Sequence, residues 1–119
     1  MKNIKDQVYE ALAKVFENVS DQYPKDWVDL PAIQYTEEDN KGYEYCSEGE
    51  SKSYVRYRID IWDNKSTSEA ALKVDGALTA LGLRRTQCQD APDPSGMKHK
   101  VMRYEMIIDL ESDETYWPD

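Results

Sequence analysis

Residues 53–62 constrain the fold more than any other segment, because they alternate between apolar and polar side chains throughout. Successive side chains of a strand point to opposite faces, so the pattern predicts a β-strand with one apolar face. The apolar positions also hold β-branched and aromatic residues, which strands favour. These positions are Val55, Tyr57, Ile59 and Ile61. The other face carries Tyr54, Arg56, Arg58, Asp60 and Trp62. A sheet containing this strand must bury its apolar side against a second layer.

Two amphipathic helices are predicted, one before and one after this strand. The first has apolar residues at steps of three and four, as one face of a helix requires. Its stripe comprises Ile4, Val8, Ala11, Leu12, Val15 and Val19. The second begins with a capping box, Ser66 and Glu69, and ends at Gly82, a residue that suits a left-handed turn. Its stripe comprises Ala70, Ala71, Val74, Ala77, Leu78 and Leu81.

Four further strands complete the predicted sheet. They cover residues 30–36, 43–47, 83–89 and 98–111, with charged turns at 37–42 and 48–52 and a proline-containing loop at 91–96. The order α-β-β-β-α-β-β predicts a two-layer α+β fold, in which a mostly antiparallel sheet of four to five strands carries two helices. We expect one domain over residues 1–119, with 112–119 as an acidic, aromatic and loosely ordered tail.

The chain is acidic, with 24 Asp and Glu against 15 Lys and Arg and a net charge of −9. Such a surface repels nucleic-acid phosphates at long range. Basic residues cluster only at Arg84–Arg85 and in residues 98–103, and both stretches are short. We therefore expect no sequence-specific nucleic-acid binding, although an acidic channel would still let DNA pass.

Cysteine usage and hydropathy indicate a cytosolic protein. Cys46 and Cys88 form no C-x-x-C pair and have no neighbouring histidine, so we expect two reduced, partly buried thiols. The opening Met-Lys-Asn-Ile lacks the apolar segment of a signal peptide, and no apolar run reaches the length of a membrane span. We expect no membrane association and no cofactor.

The sequence offers no recognisable catalytic machinery. His99 is the single histidine and lies among Lys98, Lys100 and Arg103, so we interpret it as a solvated residue at a strand end. The chain has no Gly-rich phosphate loop, no G-x-S-x-G, no H-E-x-x-H and no C-x-x-C motif. We therefore predict a protein that binds other proteins and is not an enzyme.

Two carboxylate patterns are the remaining chemical candidates. Neighbouring strands could gather carboxylates around a magnesium or calcium ion. The side chains concerned are Asp60, Asp63, Glu105 and Asp109. Glu50 and Lys52 also match the E-x-K fragment of two-carboxylate nucleases. An acidic protein places carboxylates everywhere, and a three-residue match is common by chance, so a structural interpretation is preferred for both patterns.

Tyrosine and tryptophan are the unusual feature of the composition, at nine and three residues against one phenylalanine. Both residue types combine apolar area with a polar tip, which suits protein interfaces. The candidate anchors are Tyr43, Tyr45, Tyr54, Trp62, Tyr116 and Trp117. Glu48 and Glu50 in the adjacent turn complete the predicted interface. Ordinary sheet packing is an equally good explanation for Tyr43 and Tyr45.

The block from strand to helix to strand resembles the tail-completion, or tail-terminator, proteins of long-tailed bacteriophages and prophages. It runs from Tyr-Arg-Ile-Asp-Ile-Trp at 57–62, through the Ser/Thr-capped helix, to Leu-Gly-Leu-Arg-Arg-Thr at 81–86. A proline-containing turn and Lys-Val-Met-Arg-Tyr-Glu-Met at 100–106 follow. The apolar helix at 8–19 and Leu-Pro-Ala-Ile at 30–33 are also similar, so the resemblance covers most of the chain.

This resemblance implies a structural role without catalysis or cofactor. Proteins of that family form a ring, typically of six subunits, at the head-proximal end of the tail tube. The ring stops tube polymerisation and joins the tube to the head connector. The implied partners are therefore other copies of the chain, the tail-tube protein and the connector, with DNA passing through the lumen. The implied locations are the bacterial host cytoplasm during assembly and then the virion tail.

Two other classes of function remain open from the sequence. One is an acidic inhibitor of the anti-restriction or toxin-neutralising kind, including a DNA mimic, for which a net charge of −9 is suitable. Its carboxylates are interspersed with Lys and Arg, which weakens that interpretation. The other is a metal-dependent nuclease built around Glu50 and Lys52, which would lose activity on Glu50→Ala.

Overall fold

The alternating segment lies in the central strand of a six-stranded sheet. The computed structural model describes residues 1–25 and 27–118. Its elements in chain order are α1 (Lys5–Ala13), β1 (Asn18–Ser20), β2 (Ala32–Cys46), β3 (Gly49–Asp63), α2 (Ser68–Ala80), β4 (Arg84–Ala91), β5 (Lys98–Asp109) and β6 (Thr115–Tyr116). The α+β class and the order α-β-β-β-α-β-β are confirmed, with the short β6 added at the end.

The strand order across the sheet is β1-β2-β3-β5-β4, and β6 pairs with β5 beyond the start of β4. Within the described residues, β1 and β2 run parallel and every other pair is antiparallel. The central strand β3 is hydrogen-bonded to β2 on one side and β5 on the other over almost its full length. The sheet is therefore built around one long hairpin, β2–β3.

Both helices cover the same face of the sheet and form the core with it. Val55, Tyr57, Ile59 and Ile61 are completely buried there, as their alternation predicts. The residues packed around them include Val8 and Leu12 of α1, Val74 and Leu78 of α2, and Met102 and Tyr104 of β5. Burying an aliphatic side chain of this size contributes about 1.5–3 kcal/mol, so this face supplies most of the hydrophobic stabilisation.

The first helix is shorter than its apolar stripe predicts. α1 ends at Ala13, whereas Val19 lies in β1 and pairs with Ile33 of β2. Val15 is 43% exposed, beyond the end of the helix. The three-and-four spacing continued by coincidence into a strand, because a single β-branched residue satisfies both patterns.

The predicted strands at 30–36 and 43–47 are one strand, and the turn predicted at 37–42 is wrong. The turn predicted at 48–52 exists but lies slightly earlier in the chain. β2 continues through the charged segment Glu37–Gly42, with bulges between Glu37 and Asp39 and again after Gly42. The backbone of β3 supplies the hydrogen bonds there, so polar side chains do not end the strand. The actual turn is Ser47–Glu48, and Gly49 follows it with φ +117°, a conformation that favours glycine.

The second helix begins and ends close to the predicted positions. Its capping box does not form, because Thr67 and not Ser66 occupies the cap position. The oxygen of Ser66 instead accepts a hydrogen bond from the Ser68 amide at 3.2 Å. Gly82 follows the helix with φ +98°, as predicted. Among the described residues, no helix is both long enough and apolar enough to cross a membrane.

Candidate assembly surfaces

The turn between β2 and β3 is the exposed tip of the hairpin. Tyr43 and Tyr45 are 53% and 69% exposed, and Glu48 is exposed beside them. The ring of Tyr45 lies against Gly42, where any Cβ would collide with its hydroxyl. Glu50 differs from its neighbours because its carboxylate pairs with the amino group of Met1. The tip therefore presents two tyrosines of the predicted interface in an acidic surrounding, with one of them held in a fixed orientation.

The tail carries a second aromatic surface, and several contacts hold it to the domain. Tyr116 and Trp117 are 40% and 39% exposed. The ammonium of Lys52 lies 4.9 Å from the centre of the Tyr116 ring, and the guanidinium of Arg84 lies 4.4 Å from that of Trp117. The indole nitrogen of Trp117 donates a 2.8 Å hydrogen bond to the carbonyl of Gly82. Both rings are thus fixed beside the start of β4, with part of each facing solvent.

Trp62 does not belong to an accessible surface, which corrects the prediction that it is an interface anchor. Only 3% of the residue is exposed. Tyr23 and Trp27, from the loop before β2, lie against it with ring centroids 5.3 and 6.0 Å away. The loop therefore covers one end of the sheet face opposite the helices, and Trp62 serves as packing there.

His99 lies under the same cover, so its interpretation as a solvated residue is wrong. Its side chain is 7% exposed and stacks on Trp62 with 4.6 Å between ring centroids and 7° between planes. Its Nε2 lies 2.7 Å from Oδ1 of Asp60, which is itself bound by the guanidinium of Arg58 at 2.9 Å. Its Nδ1 lies 3.8 Å from Oδ1 of Asp93 and has no hydrogen-bond partner among the described residues. The group is a buried polar cluster that joins β3, β5 and the loop after β4.

Asp93 is the electrostatic partner at the edge of this cluster. Its Oδ1 accepts a 3.0 Å hydrogen bond from the indole of Trp62. Burial acts to raise the pKa of Asp93, but hydrogen bonds from Ser95 and Trp62 and the proximity of His99 outweigh it and leave the pKa below its usual value. The carboxylate is therefore charged at neutral pH and fastens the loop at 91–97 to the sheet.

Further along this open face, Glu38 lies between two arginines. It accepts hydrogen bonds from Nε of Arg103 at 2.9 Å and from Nε of Arg56 at 3.2 Å. Burial acts to raise the pKa of Glu38, but the two guanidiniums outweigh it and lower the pKa below 4.5. Nearby, the hydroxyl of Tyr54 donates to Glu105, and burial together with that carboxylate raises the pKa of Tyr54 to about 12. The sequence signal for this network was the row of charged residues on the polar face of β3.

The carboxylates considered for metal binding do not converge. Asp60 binds Arg58 and His99, Asp63 accepts the amide of Lys65, Glu105 accepts from Tyr54, and Asp109 accepts the amides of Glu111 and Ser112. In the described part of the chain, no three metal-ligating side chains come together. Of the E-x-K pair, Glu50 contacts Met1 while Lys52 pairs with Glu44 at 2.9 Å. These side chains therefore make hydrogen bonds and ion pairs that stabilise the fold.

The two thiols are free, and both are exposed rather than partly buried as expected. Cys46 ends β2, and Cys88 lies within β4.

No protein-family model and no curated protein matches this chain.

Proposed function

We propose that the protein is a structural component of a bacteriophage tail, which forms a ring at the head-proximal end of the tail tube and joins it to the head connector. The observation that carries the proposal is the hairpin tip, where Tyr43 and Tyr45 stand 53% and 69% exposed. Side chains of this kind are enriched among binding hot spots, because they combine a large apolar ring with a polar tip. The tip lies on a molecule 51 Å long and about half as wide, at 24 × 22 Å.

The elongated shape also suits a protein that must reach several neighbours. A 15-residue strand spans roughly 46 Å at about 3.3 Å per residue, so β2 and β3 account for most of the long axis. A ring of identical subunits needs two different contact patches on each subunit. The proposal assigns the hairpin tip to contacts with other tail components and leaves the sides of the sheet for contacts between copies.

The alternatives have less support. A DNA mimic should present free carboxylates along one face, whereas Glu38 and Asp60 on the open face are occupied by arginines. A nuclease centred on Glu50 and Lys52 would need both side chains at one site, and each is paired elsewhere.

The direct test adds the purified protein to the tail-tube protein of the same virus during polymerisation. We expect shorter tubes, each with ring-shaped density at one end, in electron micrographs. Tyr45→Ala should weaken capping while leaving the melting temperature unchanged. Leu72→Ala is the matched control, because Leu72 is 74% exposed on α2, away from the tip. Tubes of unchanged length without terminal density would reject the proposal.

A second test concerns DNA. The proposal has DNA pass through the ring lumen without specific binding, since a chain of net charge −9 repels phosphate. Duplex DNA should therefore migrate unretarded with the protein in a gel at low salt, and a retarded band would contradict this part.

A further inference from the structure

The sheet has two free edges, one on each side. On β2, the residues from Tyr35 to Cys46 pair with β3 on one side, whereas β1 reaches only Ala32–Gln34 on the other. At the opposite side, β4 pairs with β5 through one edge, and no strand of the described residues occupies its other edge. Unpaired edges carry rows of backbone donors and acceptors that readily pair with another strand.

The two edges have the correct relative direction to pair with each other. Neighbouring strands alternate in direction across β2, β3, β5 and β4. A second copy in the same orientation would place its β2 antiparallel beside β4, which continues the alternation. Such a contact uses two different patches, and repeated contacts of this kind form a ring when the rotation between copies closes.

The charges on the two edges are complementary at the same height along the strands. Through the pairings across the sheet, Arg84 lies level with Asp39, and Arg85 lies level with Glu37. Level residues share a face of the sheet, so Arg84 would meet Asp39 on the same side. Arg85 already pairs with Asp75 of α2 at 3.2 Å, so Arg84 and Asp39 are the pair that the contact brings together. The edge of β2 from 35 to 46 carries four carboxylates against one lysine, whereas β4 carries two arginines against one aspartate.

Both edges carry a bulge near this level. β2 has a bulge between Glu37 and Asp39, and β4 has one between Arg85 and Gln87. The extra residues, Glu38 and Thr86, lie one level apart, and the segments 35–39 and 84–88 have equal length between the same two levels. Pairing of either edge with its own copy would bring like charges together, which is unfavourable.

We propose that the edge of β4 in one copy pairs with the edge of β2, from Tyr35 onward, in the next copy of this chain. This contact rests on the proposed ring, since it supplies the surface by which subunits join. Arg84, whose guanidinium lies over the ring of Trp117 in the single chain, faces Asp39 of the neighbour across it. β1 sets the limit of the contact, because it already occupies the edge beside Ala32–Gln34.

The test reverses the charges one at a time and then together. Arg84→Glu and Asp39→Lys each turn an attraction into a repulsion, and each should weaken self-association roughly tenfold. The double variant, Arg84→Glu with Asp39→Lys, should restore it. Lys14→Glu and Glu10→Lys make the same charge changes at exposed positions outside the two edge strands, and serve as controls. Light scattering over a concentration series gives the mass, and thermal melts confirm that each variant is folded.

Recovery in the double variant, with unaffected controls, supports the contact. A wild-type chain that stays monomeric at its highest soluble concentration overturns it, as do single variants that assemble like the wild type. The tube assay is read separately. If the tubes are capped but the single variants self-associate like the wild type, the tail function stands and this edge contact is rejected. If the tubes are not capped but the double variant regains self-association, the edge contact stands and the tail function is rejected.

Discussion

Replacing Asp60 with alanine perturbs the buried polar cluster at its centre. The carboxylate is 4% exposed and contacts two groups, Nε2 of His99 at 2.7 Å and the guanidinium of Arg58. The two partners respond differently to its loss. Arg58 has 37% of its side chain exposed and can be rehydrated, whereas His99 is held under Trp62 at 7% exposure and cannot. The cost should therefore come mainly from the imidazole.

The magnitude follows from these contacts. Leaving a buried hydrogen-bonding group without a partner costs about 1–3 kcal/mol, and a hydrogen bond to a charged acceptor contributes about 1.5–3 kcal/mol. We expect Asp60→Ala to lower the free energy of unfolding by about 2–4 kcal/mol. His99→Ala should lower it by a similar amount, since it also removes the stacking on Trp62, worth about 0.5–1.5 kcal/mol. The double variant should cost less than the two together, with a coupling of about 1.5 kcal/mol.

Urea denaturation at neutral pH gives the free energy of unfolding of the wild type, the two single variants and the double variant. With a slope of about 1–3 kcal/mol per molar urea, a loss of about 2 kcal/mol moves the midpoint by roughly 1 M. Asp63→Ala is a suitable control, because the carboxylate of Asp63 accepts a hydrogen bond from the amide of Lys65, outside the buried cluster. The reasoning would be refuted if the losses of stability of the two single variants simply summed in the double variant. It would also be refuted if the Asp60→Ala protein were as stable as the wild type.

The remaining predictions concern the core and the acid limb of stability. Ile59→Ala and Leu78→Ala each remove a completely buried side chain and should lower the free energy of unfolding by about 2–5 kcal/mol, measured by heat or urea. The exposed Leu72→Ala should lower it by less than about 0.5 kcal/mol. Melts of the two core variants that are indistinguishable from wild type would contradict the core assignment. Because the pKa of Glu38 is lowered in the folded state, its carboxylate stabilises the fold above pH 4.5, and that contribution is lost as the pH falls through the folded pKa. Glu38→Gln should therefore make stability less dependent on pH in this range, and parallel pH profiles for the two proteins would contradict the role of the two arginines.

The sequence was sufficient for features that depend on local periodicity. The alternation at 55–61 identified the buried face of β3, and the spacing of Val74 and Leu78 identified the buried side of α2. Gly82 marked the helix end because its left-handed backbone is costly for other residues. Among the predicted interface residues, Tyr43 and Tyr45 are exposed at the tip, while Tyr116 and Trp117 are partly exposed on the tail.

The tertiary structure alone decided how the polar segments are used. The charged residues 37–42 extend β2, since strand pairing depends on backbone hydrogen bonds supplied by β3 and not on side-chain polarity. His99 was expected to be solvated and Trp62 to be an interface anchor, yet the loop carrying Tyr23 and Trp27 lies against Trp62, and His99 is buried beneath Trp62. A strand pattern reports which side chains share a face, but what lies over that face depends on residues distant in the chain.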